Sequence, residues 1–328
     1  MQYTQTQQTT GMSQTQYHPI IPKKQKMARS RKIFIIAMLA YPVIHFLIFW
    51  VFINFNTIML SFQRFSYMQG KEVWNGFKNY TNFFEFFAKD PTTDAAALKV
   101  QTAVVNSIWF FVFNNLILLP ISIVCAYLLF KKVFGEKVFR IIFFLPNIIS
   151  IVVLSMCFKN MFSPIYGPID NALRAMGFPV SPNGLFQSDD SAQLMIFVYC
   201  LWAGIGYNVL LLSGSIARIP TEVLEAGRID GIGMMREFIQ IVVPLIMSTV
   251  STLFVTGSMV MFTLYLQPML LTGGKNNTYT IAYYIVDLVN NGGLYDAAAV
   301  GIIVSLVGIP LVQGVKLLME KITPSVEF

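Results

Sequence analysis

The chain has 328 residues, of which 55% are hydrophobic and only 12% are charged; its mean hydropathy is +0.61 and its net charge is +7. Soluble domains carry about 25% charged residues, so this composition excludes a water-soluble enzyme, a secreted disulfide scaffold and a disordered chain. Its three cysteines lie inside apolar stretches and lack the close spacing of a metal site: Cys125, Cys157 and Cys200. We therefore expect an all-α, polytopic membrane protein.

Apolar stretches long enough to cross a bilayer recur along the chain. A helix needs about 20 mostly apolar residues to span the hydrocarbon core. Six stretches predict six transmembrane helices, at residues 34–61, 104–130, 141–160, 193–217, 241–267 and 297–318. The first begins after residue 33 and exceeds the apolar core of a signal peptide, so we expect it to stay in the membrane. These stretches predict a transmembrane domain over residues 33–320.

The basic residues indicate how the helices are oriented. Of the 23 Lys and Arg residues, 15 lie in the N-terminal tail, the second and fourth connections and the C-terminus, which share one side. Basic residues near span ends mark the cytoplasmic side, so both termini are expected to be cytoplasmic in a multi-pass plasma-membrane protein. The positive charge therefore reflects topology. No soluble basic domain indicates binding to nucleic acid.

The segments outside the membrane differ in composition. Residues 1–32 form a tail that is first polar and disordered and then basic, and residues 321–328 form a cytoplasmic C-terminal tail. Aromatic residues in the outer loop 62–103 predict either a helix at the membrane interface or a loop packed on neighbouring spans. A second outer loop, 161–192, contains a short predicted helix near Asp170–Met176.

No residue pattern indicates that the chain itself hydrolyses ATP or catalyses a reaction. The sequence contains no phosphate-binding loop and no HExxH zinc motif. His45 lies in the first span, where an ionisable residue is a functional candidate. The spans offer no carboxylate as its relay partner, so a neutral hydrogen-bond donor between helices is the preferred interpretation. If the chain transports a solute, another protein has to drive it.

The cytoplasmic stretch 219–231 carries the strongest local pattern. Thr221 can cap a short amphipathic helix, Glu225 and Arg228 can pair on it, and Gly231 is suited to end it. A second helical stretch, Met234–Val243, follows. The pattern fits either a solvated connector or a surface on which a cytoplasmic partner docks, since so short a helix needs something to pack on.

This stretch resembles the EAA loop of ATP-binding-cassette importer permeases. The positions that match are Ile219, Pro220, Glu222, Glu225, Ala226, Asp230, Gly231, Phe238, Ile241 and Pro244. The sequence departs from the pattern at Gly227, Ile232 and Val243. Weaker similarities elsewhere extend the resemblance over about residues 33–320 and favour the maltose-type carbohydrate branch: Gly76, Asn79-Tyr80, Asn106-Ser107, Leu145-Pro146 and Thr272-Gly273-Gly274.

The resemblance implies a type I importer permease fold and a set of partners. These partners are a second homologous permease, a cytoplasmic ATPase dimer that uses ATP and Mg, and an extracytoplasmic sugar-binding protein; this chain binds no cofactor or metal and has no catalytic residue. Within the coupling loop, residues 219–244, Glu225 would pair with a basic residue of the ATPase. The coupling residues that the resemblance implies are Glu225, Ala226, Gly227, Asp230 and Gly231.

Polar and aromatic residues in two spans are candidates for the sugar path. The residues that we single out are Trp202, Gly204, Tyr207, Asn208, Ser258 and Gln267. The alternative for each is packing between helices, where small and polar residues also occur. A stand-alone secondary carrier, a membrane enzyme and a permease for a non-sugar solute are the alternative functions.

Overall fold

A computed structural model describes residues 29–178 and 180–322. The sequence-based expectations for residues 1–28 and 323–328 lie outside these ranges. The chain is mostly helical, which confirms the all-α class. Within these ranges, four helices are long and apolar enough to span a membrane, or up to six if two bent pairs each count as one span. The chain divides into two compact units between Phe55 and Asn56.

Helix α1 consists of Arg29–Phe46, a π-helical segment Leu47–Phe52 and Ile53–Ser61. It therefore begins inside the stretch that we assigned to the basic tail. None of the side chains in its most apolar window is buried. His45 is exposed, and its ring centroid lies 4.7 Å from that of Phe49 on the same helix. An apolar and exposed surface of this kind suits contact with lipid.

A short hairpin that the sequence analysis did not predict follows α1. Strand β1, Gln63–Ser66, pairs antiparallel with strand β2, Lys71–Trp74. The buried amide of Asn79 holds the hairpin to the end of α1, because its Nδ2 donates to the carbonyl oxygens of Ser61 and Gln63, both at 2.8 Å. Four-residue strands carry too little pattern to be recognised in a sequence.

Helix α2, Lys78–Ala88, lies in the outer loop 62–103. One face, which includes the buried Phe83, packs against the helices Ala95–Phe113 and Leu294–Ile322. Phe84 on another face stays exposed. Of the two interpretations of this loop, the structure supports packing on neighbouring helices for one face of α2.

Helix α3 comprises Ala95–Phe113, the π-helical segment Asn114–Leu118 and Leu119–Phe130. Asp94 starts it, because its Oδ1 accepts hydrogen bonds from the backbone N–H groups of Ala96 at 2.8 Å and Ala97 at 3.4 Å. The bond from Ala96 holds the pKa of the Asp94 carboxyl below its usual value. The π-helical segment lies just before Pro120, which has no N–H to continue a regular ladder.

The predicted third span is two helices rather than one. Helix α4, Glu136–Ile148, and helix α5, Ile151–Met161, meet at an angle of 116°. Pro146 removes a backbone hydrogen bond near the end of α4, and Ile149 is extended, with φ −87° and ψ 141°. The expectation of one continuous helix over 141–160 is therefore wrong.

The remaining helices follow in chain order. Helix α6, Pro168–Ala175, confirms the short helix predicted near Asp170, whose carboxylate Oδ2 lies 2.6 Å from the Arg174 Nε. Helix α7, Ala192–Ile216, matches the fourth predicted span. The next six helices are α8, Thr221–Ile229; α9, Met234–Leu245; α10, Met247–Thr263; α11, Leu266–Leu271; α12, Ile281–Asn290; and α13, Leu294–Ile322.

The predicted fifth span is also interrupted. Helices α9 and α10 meet at 72° around Ile246, and α10 ends at Thr263 rather than near 267. Gln267 consequently lies on α11, and the expected continuous helix over 241–267 is wrong. The last helix runs to Ile322, four residues beyond the predicted end of the sixth span.

Helix α7 is central to the packing that positions the functional sites. It lies against the Leu119–Phe130 segment of α3 and against α4. Gly206 permits the second contact, because a Cβ there would collide with the carbonyl oxygen of Phe143 on α4. A buried cluster that includes Leu212, Ile216 and Leu224 joins the end of α7 to α8. The loop after α7 is therefore anchored to the core of the helix bundle.

Candidate functional sites

Helix α8, the first half of the coupling loop, lies at the end of α7. Leu224 and Gly227 are its buried residues, whereas Glu222, Glu225 and Ala226 are exposed. Ile229 is 86% exposed, which is unusual for an isoleucine in a short helix anchored to a core. The free face of α8 thus combines carboxylates with uncovered apolar side chains.

The two ends of α8 are closed in different ways. Thr221 is the first helical residue, and its side chain caps nothing, so the expected Thr221 cap is wrong; Pro220 precedes the helix instead. At the other end Gly231 has φ +73°, which confirms the predicted left-handed ending. The N–H of Gly231 donates to the carbonyl of Arg228, and that of Ile232 donates to Gly227, both at 3.0 Å. This bonding pattern is a Schellman motif.

Two departures from the EAA pattern have structural counterparts. A Cβ on Gly227 would lie 2.8 Å from Cδ1 of Ile241, the flexible end of that side chain, and 3.7 Å from Cδ1 of Ile232. The end of the Ile241 side chain therefore occupies space that a Cβ on Gly227 would need, and the end of Ile232 lies close by. The expected ion pair between Glu225 and Arg228 is not formed among the described residues.

A buried ion pair connects the second half of the coupling loop to the membrane helices. Lys131 follows the last residue of α3, and its Nζ lies 2.6 Å from Oε1 and 2.7 Å from Oε2 of Glu237 on α9. The exposed fractions of the two side chains are 18% and 5%. The Tyr127 hydroxyl adds a hydrogen bond to the carbonyl of Met234, at 3.1 Å. The end of α3 and the start of α9 are therefore joined by an ion pair and a hydrogen bond.

This connection was not predicted from the sequence. Lys131 is one of the basic residues of the second connection that indicate topology, and Glu237 had no assigned role. The available signal was an acidic residue just before an apolar span, opposite a basic residue just after another, but sequence alone does not show that the two helix ends meet.

A cavity of about 310 Å³ lies within the helix bundle. Three amide side chains, Asn114, Asn147 and Gln267, line it together with the aromatic side chains of Phe110, Phe113 and Tyr199. Amides can donate and accept hydrogen bonds at once, and aromatic faces suit apolar C–H surfaces. No carboxylate, lysine, arginine or histidine is among the lining residues. Most of the other lining residues are aliphatic, so the cavity offers three amide groups and aromatic faces within an otherwise apolar lining.

The structure brings only some of the predicted path residues to this cavity. Gly204 and Gln267 line it. Trp202 is half-buried, with its ring centroid 5.9 Å from that of Phe158, and Ser258 is fully buried and donates to the carbonyl of Phe254. The other two, Tyr207 and Asn208, lie about one turn farther along α7, where Tyr207 is 53% exposed. Whether any of the six contacts a substrate stays a prediction.

Two of the cavity amides were not singled out from the sequence. Asn114 lies in the π-helical segment of α3, and Asn147 follows Pro146 near the break between α4 and α5. Polar side chains inside apolar spans are costly to bury without a role, so each was a visible signal. The bends that turn them toward a common cavity were not visible.

Comparison with known proteins identifies the family. The model of the family described as binding-protein-dependent transport system inner membrane component matches residues 118–326. The probable ABC transporter permease protein YurN of Bacillus subtilis (strain 168) is 30% identical over 246 residues, which cover 71% of this chain and 77% of that protein.

Two further matches extend this result. The maltose/maltodextrin transport system permease protein MalF of Escherichia coli (strain K12) is 28% identical over 228 residues, 67% of this chain and 42% of MalF. A crystal structure of a bacterial ABC transporter involved in the import of the acidic polysaccharide alginate contains a chain with the same fold. That chain has a TM-score of 0.75 and 22% identity, and the match covers 90% of this chain and 98% of that one. This chain belongs to the family of binding-protein-dependent transport system inner membrane components, which are multi-pass permeases of ABC transporters.

Proposed function

We propose that the chain is the transmembrane permease subunit of an ATP-driven, binding-protein-dependent sugar importer, with an oligosaccharide as substrate. It forms half of the translocation path and pairs with a second, homologous permease. A cytoplasmic ATP-binding-cassette ATPase dimer uses ATP and Mg, and an extracytoplasmic binding protein delivers the sugar. Both termini and the coupling loop are cytoplasmic in this proposal.

The observation that carries the proposal is the free face of α8. Glu222 and Glu225 have no ion-pair partner in the part of the chain that the structure describes, and Val223 and Ile229 are uncovered beside them. Isolated helices of this length are marginal in water, yet α8 is anchored by Leu224 and by its Schellman ending. An anchored helix that exposes both carboxylates and apolar side chains supports docking of a cytoplasmic partner.

The membrane cavity supports a sugar as the substrate class. Asn114, Asn147 and Gln267 offer hydrogen-bond donors and acceptors, and the aromatic side chains offer faces for a sugar ring. The similarity to MalF, named as a permease for maltose and maltodextrin, adds independent support.

Reconstitution tests the proposal. The chain is purified by an affinity tag from cells that express its whole transport system, and the co-purifying proteins are identified. The purified complex is then placed in proteoliposomes with ATP inside and the binding protein outside. We expect a second permease and an ATPase to co-purify, and uptake of labelled maltotriose or a related oligosaccharide to require both ATP and the binding protein.

Two results would contradict the proposal in different ways. Uptake by liposomes that contain only this polypeptide would indicate a stand-alone carrier. Binding-protein-stimulated ATP hydrolysis without uptake of any of a set of neutral and acidic oligosaccharides would retain the permease but exclude a sugar as its substrate.

A further inference from the structure

A second polar pocket lies at the opposite end of the helix bundle from the coupling loop. It has a volume of about 160 Å³ and is formed by the end of α5, the loop between α5 and α6, and the loop between α6 and α7. Helix α7 begins beside this pocket and ends beside α8, and its 25 residues span roughly 37 Å at about 1.5 Å per residue. The two sites are therefore on opposite sides of the membrane, whichever way the chain is oriented.

Several polar side chains of this outer pocket make no hydrogen bond within the part of the chain that the structure describes. Asn160, Asn183 and Gln187 are exposed, and Lys159 stands beside them. The only side-chain hydrogen bond among these four within the described residues is the one that Asn160 Oδ1 accepts from the Tyr166 hydroxyl, at 3.2 Å. Three amides and one ammonium group thus face a pocket whose lining includes no carboxylate.

Aromatic side chains form the rest of the pocket. Tyr166 is 65% exposed at its edge, and Phe162 and Phe186 lie within the lining, their ring centroids 6.2 Å apart. Within the described residues, the Asn183 and Gln187 side chains make no hydrogen bond. An exposed ring beside such amides can accept the apolar face and the hydroxyl groups of a sugar together.

Helix α5 connects the outer pocket to the membrane cavity. Its first residues, Ile151 and Leu154, line the membrane cavity, whereas Lys159 and Asn160 line the outer pocket. The offset of five to nine residues corresponds to roughly 7–14 Å along the helix. Between them Phe158 packs against Tyr199, with ring centroids 5.2 Å apart. The outer pocket and the membrane cavity are therefore neighbours, and the rings of Phe158 and Tyr199 lie between them.

We propose that the outer pocket is an extracytoplasmic subsite that holds one unit of a saccharide before it enters the membrane cavity. The proposal rests on the proposed function and adds a binding site to it. The three amides bind hydroxyl groups, Tyr166 stacks on the ring, and Lys159 binds a hydroxyl group of a neutral sugar or the carboxylate of a uronate.

Protection of an introduced cysteine tests this subsite. Cys125, Cys157 and Cys200 are first replaced by Ala, and then Gln187→Cys or the control Asp189→Cys is added. Asp189 is exposed and two residues away but does not line the pocket. The probe is whichever of maltotriose, lactose and an alginate trisaccharide the reconstituted wild-type importer takes up, and a membrane-impermeant maleimide reports accessibility.

At a sugar concentration about ten times the Kd, occupancy slows modification at position 187 roughly tenfold, and modification at position 189 is unchanged. Asn160→Leu raises the concentration needed for half-protection by about 2- to 12-fold, as expected for one hydrogen bond. Lys159→Gln has its larger effect when the probe is the uronate. If Gln187→Cys abolishes transport, Asn183→Cys is used in its place.

Three outcomes separate the possibilities. Equal modification rates at position 187 with and without a sugar that is transported would overturn the subsite and leave the proposed function intact. Slowing at both positions by sugar-free binding protein, with no effect of sugar alone, would overturn it in favour of a protein-docking surface. Uptake of none of the three sugars would instead contradict the proposed substrate class.

Discussion

The ion pair between Lys131 and Glu237 provides a quantitative test of how the coupling loop is attached. Charges about 3 Å apart attract by roughly 5–6 kcal/mol at an effective dielectric constant of about 20, and burying each ion costs several kcal/mol. The pair therefore contributes little net stability. Removing only one partner leaves a buried charge uncompensated, which costs about 3–5 kcal/mol. Only 5% of the Glu237 side chain is exposed, so this cost applies to Glu237 when Lys131 is removed.

We expect Lys131→Met to lower the free energy of unfolding by about 3–5 kcal/mol, and the double variant Lys131→Met, Glu237→Met to recover most of that loss. The matched control is Lys316→Met. Lys316 lies 3.7 Å from Glu320, and both side chains are more than half exposed, so its loss should cost about 0–1 kcal/mol.

The assay is denaturant unfolding of the purified chain in mixed micelles, followed by ATPase co-purification for each variant. Because the pair joins α3 to α9, Lys131→Met should also weaken retention of the ATPase, whereas Lys316→Met should not. Equal losses of stability for Lys131→Met and Lys316→Met would refute the conclusion that this ion pair holds the loop. Failure of the double variant to recover would refute the electrostatic explanation.

Three other predictions follow from the topology, the packing and the cavity. In intact cells, an impermeant thiol reagent should label a cysteine introduced at Asp189 but not one at Glu225; the reverse labelling would invert the proposed orientation. Gly206→Ala should reduce the amount of folded protein, because overpacking against the backbone of α4 costs about 1–3 kcal/mol, whereas Gly227→Ala displaces only a flexible side-chain end and should leave expression and transport near wild type. Asn147→Leu should lower sugar affinity in the reconstituted importer by about 2- to 12-fold without loss of expression; unchanged uptake kinetics would remove it from the path.

The parts of the fold that sequence could predict are those set by local composition. The helices around 193–217 and 297–318 follow from length and hydropathy. The ending of α8 at Gly231 follows from the conformational freedom of glycine. These features depend on neighbouring residues alone, so no tertiary information was needed.

The features that sequence missed depend on how distant segments meet. Pro146 lies in the third predicted span, but the residues around it do not fix the 116° angle between α4 and α5, and α4 also packs against the distant helix α7. Thr221 is a residue type that often caps helices. Here, however, Thr221 is the first helical residue, and Pro220 occupies the capping position before it. In the candidate site, Gln267 could be singled out from the sequence as a polar residue in a predicted span. Asn114 and Asn147 became candidates only because the structure places them in the same cavity.

In the proposed function, ATP hydrolysis by a partner drives sugar movement through the exposed face of α8. The most direct test is the number of sugar molecules taken up per ATP hydrolysed in proteoliposomes, compared between Glu225→Ala and Glu222→Ala at equal protein density. Loss of one partner of a charged contact in a closed interface costs about 2–5 kcal/mol, whereas loss of a first-turn carboxylate costs about 0.3–1 kcal/mol. We expect Glu225→Ala to reduce both ATPase retention and the ratio of sugar to ATP, and Glu222→Ala to stay near wild type. Normal coupling in Glu225→Ala, with loss of coupling in Glu222→Ala, would contradict the assignment of Glu225, and wild-type coupling in both would contradict a role for either carboxylate.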